Sequence, residues 1–200
     1  MRKNRETKIV GSKVVLVPYR KQHVKRYNDW MQSPELQELT ASEPLTETEE
    51  YEMQQTWLHD DDKCTFIVLN KEILDSTASE EDAMIGDTNM YLTTEDEKVC
   101  AEVGIMIAEA DARRQRMGWE AILLAMRYGI EDLNVDVFVA KISTKNAKSI
   151  NMFEKIKFAT ESESKVFEEV TLVRKVTDDW IEWLKKETKV YDVLETEENV

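Results

Sequence analysis

Three arginines stand close together at Arg113, Arg114 and Arg116, in a segment that continues through Gln115 and Met117 to Gly118. An apolar, strand-like run precedes this segment, and a long run with helical periodicity follows it. A chain that turns from a strand directly into a helix leaves backbone N–H groups without partners at the start of the helix. Those donors, the positive end of the helix dipole and the arginines together predict a phosphate-binding loop.

A second segment with regular polar spacing begins at Asn146. Asparagine is a good N-cap residue, and Asn146, Ser149 and Phe153 fall on neighbouring turns of the helix that would follow. Two interpretations stay open from these residues alone. The helix either presents this face to a ligand or is a capped amphipathic helix and nothing more.

Several other chemistries lack the residues that they need. The chain has no Walker loop, no G-x-G-x-x-G, no H-E-x-x-H and no C-x-x-C. With His23 and His59 as the whole histidine complement, neither a multi-histidine metal site nor a Ser-His-Asp system is favoured, and we expect no bound metal. Cys64 and Cys100 lie in apolar runs, which is typical of buried, reduced thiols.

Composition narrows the class of protein and its partners. The 200 residues are 42% hydrophobic and 34% charged, which suits one well-filled core. The formal net charge of −14 argues against a nucleic-acid partner, because phosphate binding needs a basic face. We expect no membrane partner, since no run approaches the ~20 apolar residues of a bilayer span. No targeting segment is recognisable, so we expect a cytoplasmic protein, with the nucleus as the alternative.

The order of elements that must position these segments predicts one mixed sheet. Strands are predicted at residues 13–18, 64–69, 84–92, 101–108, 137–143 and 168–176. Helices are predicted at residues 23–31, 46–59, 119–133, 146–156 and 180–184, and a polar loop at residues 75–82. This order indicates an α/β (α+β) layer fold. We predict a single domain over residues 10–188 and an acidic C-terminal tail over residues 189–200.

The two polar segments together resemble the acetyl-CoA-binding core of the GNAT acetyltransferase superfamily. That superfamily carries R/Q-x-x-G-x-G/A after its fourth strand and an N-x-x-S-x-x-x-Y/F-E-K helix after its fifth. The corresponding stretches of this chain are RRQRMG at residues 113–118 and NAKSINMFEK at residues 146–155. Further segments resemble the N-acetyltransferase nine branch, which is described as α/β-tubulin N-acetyltransferases; they are residues 14–19, 39–45, 63–69 and 166–172.

The resemblance implies a GNAT acyl-CoA N-acyltransferase fold, with a largely antiparallel mixed sheet and helices on both faces. Strands 101–108 and 137–143 would be neighbours that splay apart into a V-shaped opening. Acetyl-CoA would be the co-substrate, with its pantetheine arm along the first of these strands and its pyrophosphate in the arginine loop. The implied cofactor-binding residues are Met106, Ile107, Ala108, Arg113, Arg114, Gln115, Arg116, Met117, Gly118, Asn146, Ser149 and Phe153.

The implied mechanism is direct attack of a neutral amine on the thioester. A backbone N–H would polarise the carbonyl, and a carboxylate or water would remove the proton. Glu102, which begins the fourth strand, is the candidate for that carboxylate. Asp87 on the third strand is a poorer candidate, and Glu43 would serve acceptor recognition or loop structure.

Departures from the family pattern bear on activity. Arg116 stands where the family has a glycine, whose backbone freedom a side chain does not share. Phe153 stands where a tyrosine is frequent and cannot protonate a leaving thiolate. Three functions therefore stay open. They are an N-acetyltransferase for a protein amino group with tubulin as the acceptor, a small-amine acetyltransferase, and a catalytically weak or inactive protein that binds microtubules or another partner.

Overall fold

The computed structural model describes residues 1–196, and these residues form one nine-stranded sheet with helices on both faces. The strands are β1 Thr7–Val10, β2 Val14–Pro18, β3 Lys63–Asn70, β4 Met84–Glu95, β5 Lys98–Ile107, β6 Val137–Ser143, β7 Ala159–Ser164, β8 Glu169–Lys175 and β9 Asp192–Glu195. The helices are α1 Val24–Met31, α2 Pro34–Thr40, α3 Glu47–Leu58, α4 Lys71–Thr77, α5 Glu80–Ala83, α6 Met117–Glu131, α7 Ala147–Lys155 and α8 Asp178–Glu187. The predicted mixed, largely antiparallel α/β fold is confirmed.

The sheet has the order β7-β8-β6-β5-β4-β3-β2-β1-β9, and β5 and β6 are its parallel pair. These two strands are in register only from Cys100 to Glu102, which lie opposite Val137 to Val139. Past that paired segment β5 continues to Ile107 and β6 continues to Ser143. The two strands are therefore neighbours that separate towards their carboxyl ends, which agrees with the predicted opening.

Two apolar cores fill the two faces of the sheet. The first face is covered by α6, α7 and α8, and its core includes Leu123, Phe153 and Trp180. The second face is covered by α1, α2 and α3, and its core includes Tyr27 and Met106. Alternate residues of each strand point to opposite faces, so residue parity decides which core a strand side chain enters.

Local signals in the sequence account for several helix starts. The Thr46 side chain accepts from the N–H of Glu49 at 3.3 Å, and the Glu49 carboxylate accepts from the N–H of Thr46 at 2.8 Å. These two hydrogen bonds form a capping box, and it begins α3 at the start of the helix predicted over residues 46–59. Asn146 likewise caps α7, because its Oδ1 accepts from the N–H of Ser149 at 3.1 Å.

The structure differs from the predicted elements in four places, and one of them is helix α2, which was not predicted. The polar loop predicted at 75–82 was wrong, because α4 runs to Thr77 and α5 follows, capped by Asn70 and Ser79. Strand β1 was not predicted. The predicted tail 189–200 contains a strand, since β9 pairs with β1 from Asp192 to Glu195; its residues 197–200 lie outside the described residues.

Candidate functional site

The open edge of β5 presents one of the three predicted pantetheine-binding residues. The Ala108 N–H donates to Ile85 O of the β4 side at 2.9 Å. Alternate residues of an antiparallel strand bond to the same neighbour, so Met106 and Ala108 direct their peptide groups to β4. The peptide of Ile107 consequently faces the opening. The Met106 side chain is buried in the core of the second face.

Arg113 uses its side chain along the end of β5. Its Nε donates to Ile107 O at 3.0 Å, and its Nη2 donates to Ala108 O at 3.2 Å. Its Nη1 forms an ion pair with Glu35 of α2 at 3.1 Å. Arg113 therefore joins the end of β5 to α2, and in this arrangement its guanidinium is already hydrogen-bonded to protein acceptors.

Arg116 adopts the backbone conformation that the family glycine would favour. It is the N-cap of α6, with φ 65° and ψ 14° in the left-handed region. Its guanidinium lies 5.3 Å from the ring centre of Trp119, and its Nη2 lies 3.8 Å from the Glu187 carboxylate of α8. Arg114, in the same loop, also has a positive φ of 63°. The loop is thus tight enough to place two non-glycine residues in a region that disfavours side chains.

The start of α6 supplies free backbone donors. The first bond of this helix runs from Glu120 N–H to Arg116 O at 3.0 Å. The N–H groups of Met117, Gly118 and Trp119 precede it and have no helical partner. These groups and the positive helix end form a cradle that fits a pyrophosphate.

Two contacts fix the position of this helix start. A Cβ at Gly118 would lie 3.0 Å from Ile107 Cγ1, so the absence of a side chain lets α6 pack closely on β5. The Glu120 carboxylate accepts hydrogen bonds from three backbone N–H groups where the chain turns from β1 into β2. The donors are Ser12, Lys13 and Val14, with N···O distances of 2.7 to 3.1 Å. The cradle is therefore held against the sheet on two sides.

The second predicted segment follows the other arm of the opening. The Asn146 N–H donates to the carbonyl of Ser143, the last residue of β6, at 2.8 Å, so α7 starts close to the end of that strand. Ser149 lies on the first turn of the helix. Phe153 is 1% exposed and packs edge-on against Phe158, with ring centres 5.0 Å apart. In this structure Phe153 is a core residue, and a cofactor contact through its ring stays a prediction.

Glu102 lies at the vertex of the opening, opposite Val139 at the last paired position of β5 and β6. Its carboxylate accepts from Lys141 Nζ at 2.7 Å, and the two side chains are 44% and 46% exposed. The hydrogen bond and the attraction of Glu102 raise the pKa of Lys141. The predicted carboxylate is thus accessible and is paired with a cation.

Asp87, the poorer candidate in the sequence, has the more unusual environment. It lies in β4 opposite Met106 and is 3% exposed. Burial raises the pKa of its carboxyl to about 6, against the opposing effect of a hydrogen bond from Asn89 Nδ2 at 3.2 Å. An aspartate between Gly86 and Thr88 in a strand gives no sequence signal of its depth, so its burial could not be predicted from the sequence alone.

The matching family model is described as an acetyltransferase (GNAT) domain and covers residues 13–159. The chain belongs to this family, and it is an acetyl-CoA-dependent N-acetyltransferase by class. It is 47% identical over 190 residues to the alpha/beta-tubulin-N-acetyltransferase 9 of Mus musculus, which covers 94% of this chain and 79% of that protein. The human protein of the same name is 47% identical over 191 residues, covering 94% and 92%.

A further relative and two solved structures extend this similarity. An N-acetyltransferase 9-like protein of Nematostella vectensis is 49% identical over 173 residues, covering 86% of this chain and 87% of that protein. Spermidine N-acetyltransferase from Vibrio cholerae, in complex with CoA and spermine, has a TM-score of 0.70 at 14% identity, covering 82% and 95%. An uncharacterized protein from Bacillus halodurans has a TM-score of 0.71 at 15% identity, covering 92% and 96%. The similarity to the Vibrio cholerae N-acetyltransferase structure confirms the predicted GNAT fold.

The residues present fit acetyl-CoA as the family's co-substrate. The opening exposes an unpaired strand edge, the helix start offers free N–H donors, and Gly118 allows the close approach of α6 to β5. Over residues 1–196, no cluster of three or more histidine, cysteine or acidic side chains is suited to holding a metal ion. In the same part of the chain, no helix combines the length and apolarity needed to cross a bilayer.

Proposed function

We propose that this protein transfers the acetyl group of acetyl-CoA to an amino group of a protein, with tubulin as the first acceptor to test. The observation that supports this acceptor is the near-full-length similarity to the alpha/beta-tubulin-N-acetyltransferases of mouse and human. We place the reaction in the cytoplasm. The thioester of acetyl-CoA supplies an activated acetyl group, and the chain itself must bind the cofactor, orient the amine and take its proton.

The cofactor side of this proposal assigns backbone groups first. The N–H groups of Met117 and Gly118 would bind the pyrophosphate, with Arg114 and Gln115 beside them in the same loop. The N–H of Ile107 would bind the pantetheine arm at the opening, since the carbonyl of Ile107 already accepts from Arg113 Nε. Asn146 and Ser149 would contact the cofactor from the start of α7. Met106, Ala108, Arg113, Arg116 and Phe153 complete the proposed cofactor-binding residues and have the protein contacts described above.

On the acceptor side, Glu102 would accept the proton of the attacking amine at the vertex of the opening. Its exposure gives solvent and substrate access, and Lys141 holds its carboxylate in place. A carboxylate within hydrogen-bond reach of the amine is the geometry that general-base catalysis requires.

A second function, a GNAT-fold binding protein with little or no turnover, is favoured by two observations. Phe153 has no hydroxyl to protonate a leaving thiolate, and its ring is buried. The Arg116 guanidinium is directed to Trp119 and Glu187, and its backbone conformation carries the strain of a side chain in a left-handed position. Such a protein would retain the fold and a partner surface for tubulin or microtubules.

The test is an acetyl-transfer assay with the purified full chain and acetyl-CoA. The acceptors are the α/β-tubulin dimer, peptides with free amino ends and spermidine, and intact-mass and tandem mass spectrometry identify the acetylated group. We expect acetylation of a protein amino group, and we expect Glu102→Gln to lower kcat. Transfer to spermidine alone would indicate a small-amine enzyme. Absence of all transfer with intact tubulin binding would leave the binding protein.

A further inference from the structure

The absence of a side chain at Gly104 of β5 leaves space for the Asn89 side chain of β4. Gly104 lies in register with Asn89, two residues past the vertex at Glu102. A Cβ at Gly104 would lie 3.3 Å from both Nδ2 and Oδ1 of Asn89. The Asn89 amide therefore lies over β5 in the space that a side chain at Gly104 would enter. This is the strand that borders the opening, on the face covered by α1 to α3.

Asp87 lies next to this amide on the same face and lacks a cation of its own. Asn89 Nδ2 donates to its Oδ2 at 3.2 Å. The neighbouring cation is Lys63, but its Nζ lies 3.7 Å from the ring centre of Trp57. Within residues 1–196, Asp87 forms no ion pair. Lys63 attracts the charge of Asp87 but forms no ion pair with it. A buried carboxylate without a paired cation is costly, so this arrangement favours a positively charged ligand.

Thr65 adds an independent observation that points to a ligand at this place. It is the cross-strand partner of Asn89 on β3, and its side chain is fully buried on the same face. Its Oγ1 has no hydrogen-bond partner among the described residues. Buried hydroxyl groups are normally hydrogen-bonded, so an unpartnered one beside a buried carboxylate marks a place where a donor belongs.

We propose that Asp87, Asn89 and Thr65 form the site that binds the primary ammonium group of the acceptor. A primary ammonium has three N–H donors and no acceptor. The Asp87 carboxylate, Asn89 Oδ1 and Thr65 Oγ1 offer it three acceptors beside the strand where the thioester would lie. The inference rests on the proposed function, because it supplies the acceptor half of that reaction.

The groups that face Asp87 from neighbouring elements set the pH range of this binding. They are Lys63 of β3, Glu50 of α3, Tyr27 of α1 and Tyr19 after β2. Burial raises the pKa of Asp87 to about 6 and that of Glu50 above its usual value, and it keeps the pKa of both tyrosines well above 10. Burial also lowers the pKa of Lys63. Asp87 therefore gains the charge that binds an ammonium as the pH rises through about 6.

The experiment measures binding, so that it does not depend on turnover. The full chain is saturated with CoA and titrated by calorimetry at pH 7.5 with a peptide that has a free amino end. The same peptide with an acetylated amino end is the reference ligand. We expect the free amine to bind about tenfold more tightly or better, as for a charge-assisted hydrogen-bonded contact. Asp87→Asn should remove most of this preference, and Thr65→Val should reduce it severalfold.

The matched control is Asp29→Asn, the same change of charge on the exposed face of α1, which should keep the preference intact. Gly104→Ala is the second test variant, since its Cβ would press on the Asn89 amide without removing a charge. The proposal is overturned if the wild-type chain binds both peptides equally, or if folded Asp87→Asn and Gly104→Ala keep the full preference. If these variants lose the preference and the transfer assay also fails, the ammonium-binding site is supported and the proposed acetyl transfer is refuted.

Discussion

Arg116 has a side chain with protein contacts at a position where the family has a glycine. Its backbone is left-handed, and its guanidinium contacts Trp119 and Glu187 on the α8 side of the loop. The contact with Glu187, at 3.8 Å between partly exposed groups, is a weak ion pair. The gain from the side chain is therefore small beside the conformational cost of the backbone, which is ~1–2 kcal/mol for a non-glycine residue.

We accordingly expect Arg116→Gly to tighten acetyl-CoA binding and to raise the free energy of unfolding by about 1 kcal/mol. The glycine removes backbone strain and clears the approach to the helix start. Isothermal titration with acetyl-CoA and denaturant unfolding measure the two effects. Ala78→Gly is the control, because Ala78 also has a positive φ, 56°, but caps α4 away from the cradle. Weaker acetyl-CoA binding by Arg116→Gly would show that the arginine is a working phosphate ligand.

Asp87 gives a prediction for the pH dependence of stability. Its pKa in the folded chain, about 6, is above the ordinary value of 3.8, so the folded state holds the proton more tightly than the unfolded state. The stabilisation is complete below pH ~4 and is lost as the pH rises through about 6. Relative to Asp87→Asn, the wild-type chain should lose ~1–2 kcal/mol of unfolding free energy between pH 5 and pH 7.5.

Denaturant unfolding of both proteins at the two pH values measures this difference. The remaining acidic groups are common to both proteins, so subtracting the two pH dependences isolates Asp87. A wild-type chain that gains stability relative to Asp87→Asn over this range would show that the carboxylate has a cationic partner in the folded state. Asp29→Asn, on the surface of α1, should give the same pH dependence as the wild-type chain.

At the scale of elements, the packing of α6 on β5 decides whether the cradle forms. The helix start is held by the close contact of Gly118 with Ile107 and by the Glu120 carboxylate on the turn between β1 and β2. We expect Gly118→Val to abolish measurable acetyl-CoA binding, because the added carbons would push the first turn of α6 away from β5. Titration with acetyl-CoA checks this, and a circular dichroism spectrum like that of wild type shows that the fold survives.

Gly129 provides the comparison for Gly118, since it lies later in the same helix. A Cβ at Gly129 would lie 3.1 Å from Met90 Sδ and from Phe138 Cζ, in the core far along α6 from the cradle. Gly129→Ala should therefore lower stability while leaving the affinity for acetyl-CoA of the folded protein unchanged. Normal acetyl-CoA affinity in Gly118→Val would contradict the proposed cradle.

The elements that the sequence predicts well are those whose signal is local. Apolar, β-branched runs predict β2, β3 and β6, and the pairs Thr46 with Glu49 and Asn146 with Ser149 predict two helix starts. Strands β1 and β9 are short and stabilise each other at the edge of the sheet. Their pairing joins residues far apart in the chain, so it leaves no local pattern to read.

In the candidate site, likewise, the positions of the main segments could be predicted, but the contacts of individual side chains could not. The resemblance brings the loop after β5 and the start of α7 together with the opening, and the structure places both at the ends of the strands that bound it. The path of each side chain depends on tertiary contacts instead. Arg113 Nε donates to Ile107 O, and the Arg116 guanidinium lies over the ring of Trp119. Asp87 is buried beneath α1 and α3. None of these three features follows from the spacing of residues in the sequence.

At the scale of the whole molecule, helices α1 and α2 are tied to the segment that follows β5. Glu35 of α2 pairs with Arg113, and Glu109 accepts from Arg26 Nη2 at 2.8 Å and Trp30 Nε1 at 2.9 Å of α1. Both links reach the segment that leaves β5 for the cradle. The two substrates would therefore bind to parts of the molecule that are mechanically joined, with the sheet between the two cores as a common support.

The last prediction concerns β9, the strand at the edge of the sheet opposite β7. Strand β9 pairs with β1 along four residues, Thr196 N–H donates to Glu6 O at 2.7 Å, and Arg127 lies 4.0 Å from the ring centre of Tyr191. A chain that ends at residue 188, the predicted domain boundary, loses these contacts and exposes the β1 edge. We expect its unfolding free energy to fall by ~1–3 kcal/mol relative to a chain ending at residue 196.

Acetyl-CoA affinity should be the same in the two chains, because β1, β2, β3 and β4 separate β9 from the opening beside β5. Thermal unfolding monitored by circular dichroism compares their stability, and calorimetric titration compares their affinity. Equal melting temperatures would show that residues 189–196 are a tail, as the sequence predicts, and that β9 contributes nothing to the sheet. A lower melting temperature with unchanged affinity is the result that a nine-stranded domain requires, since the cradle and both arms of the opening keep all their supporting strands.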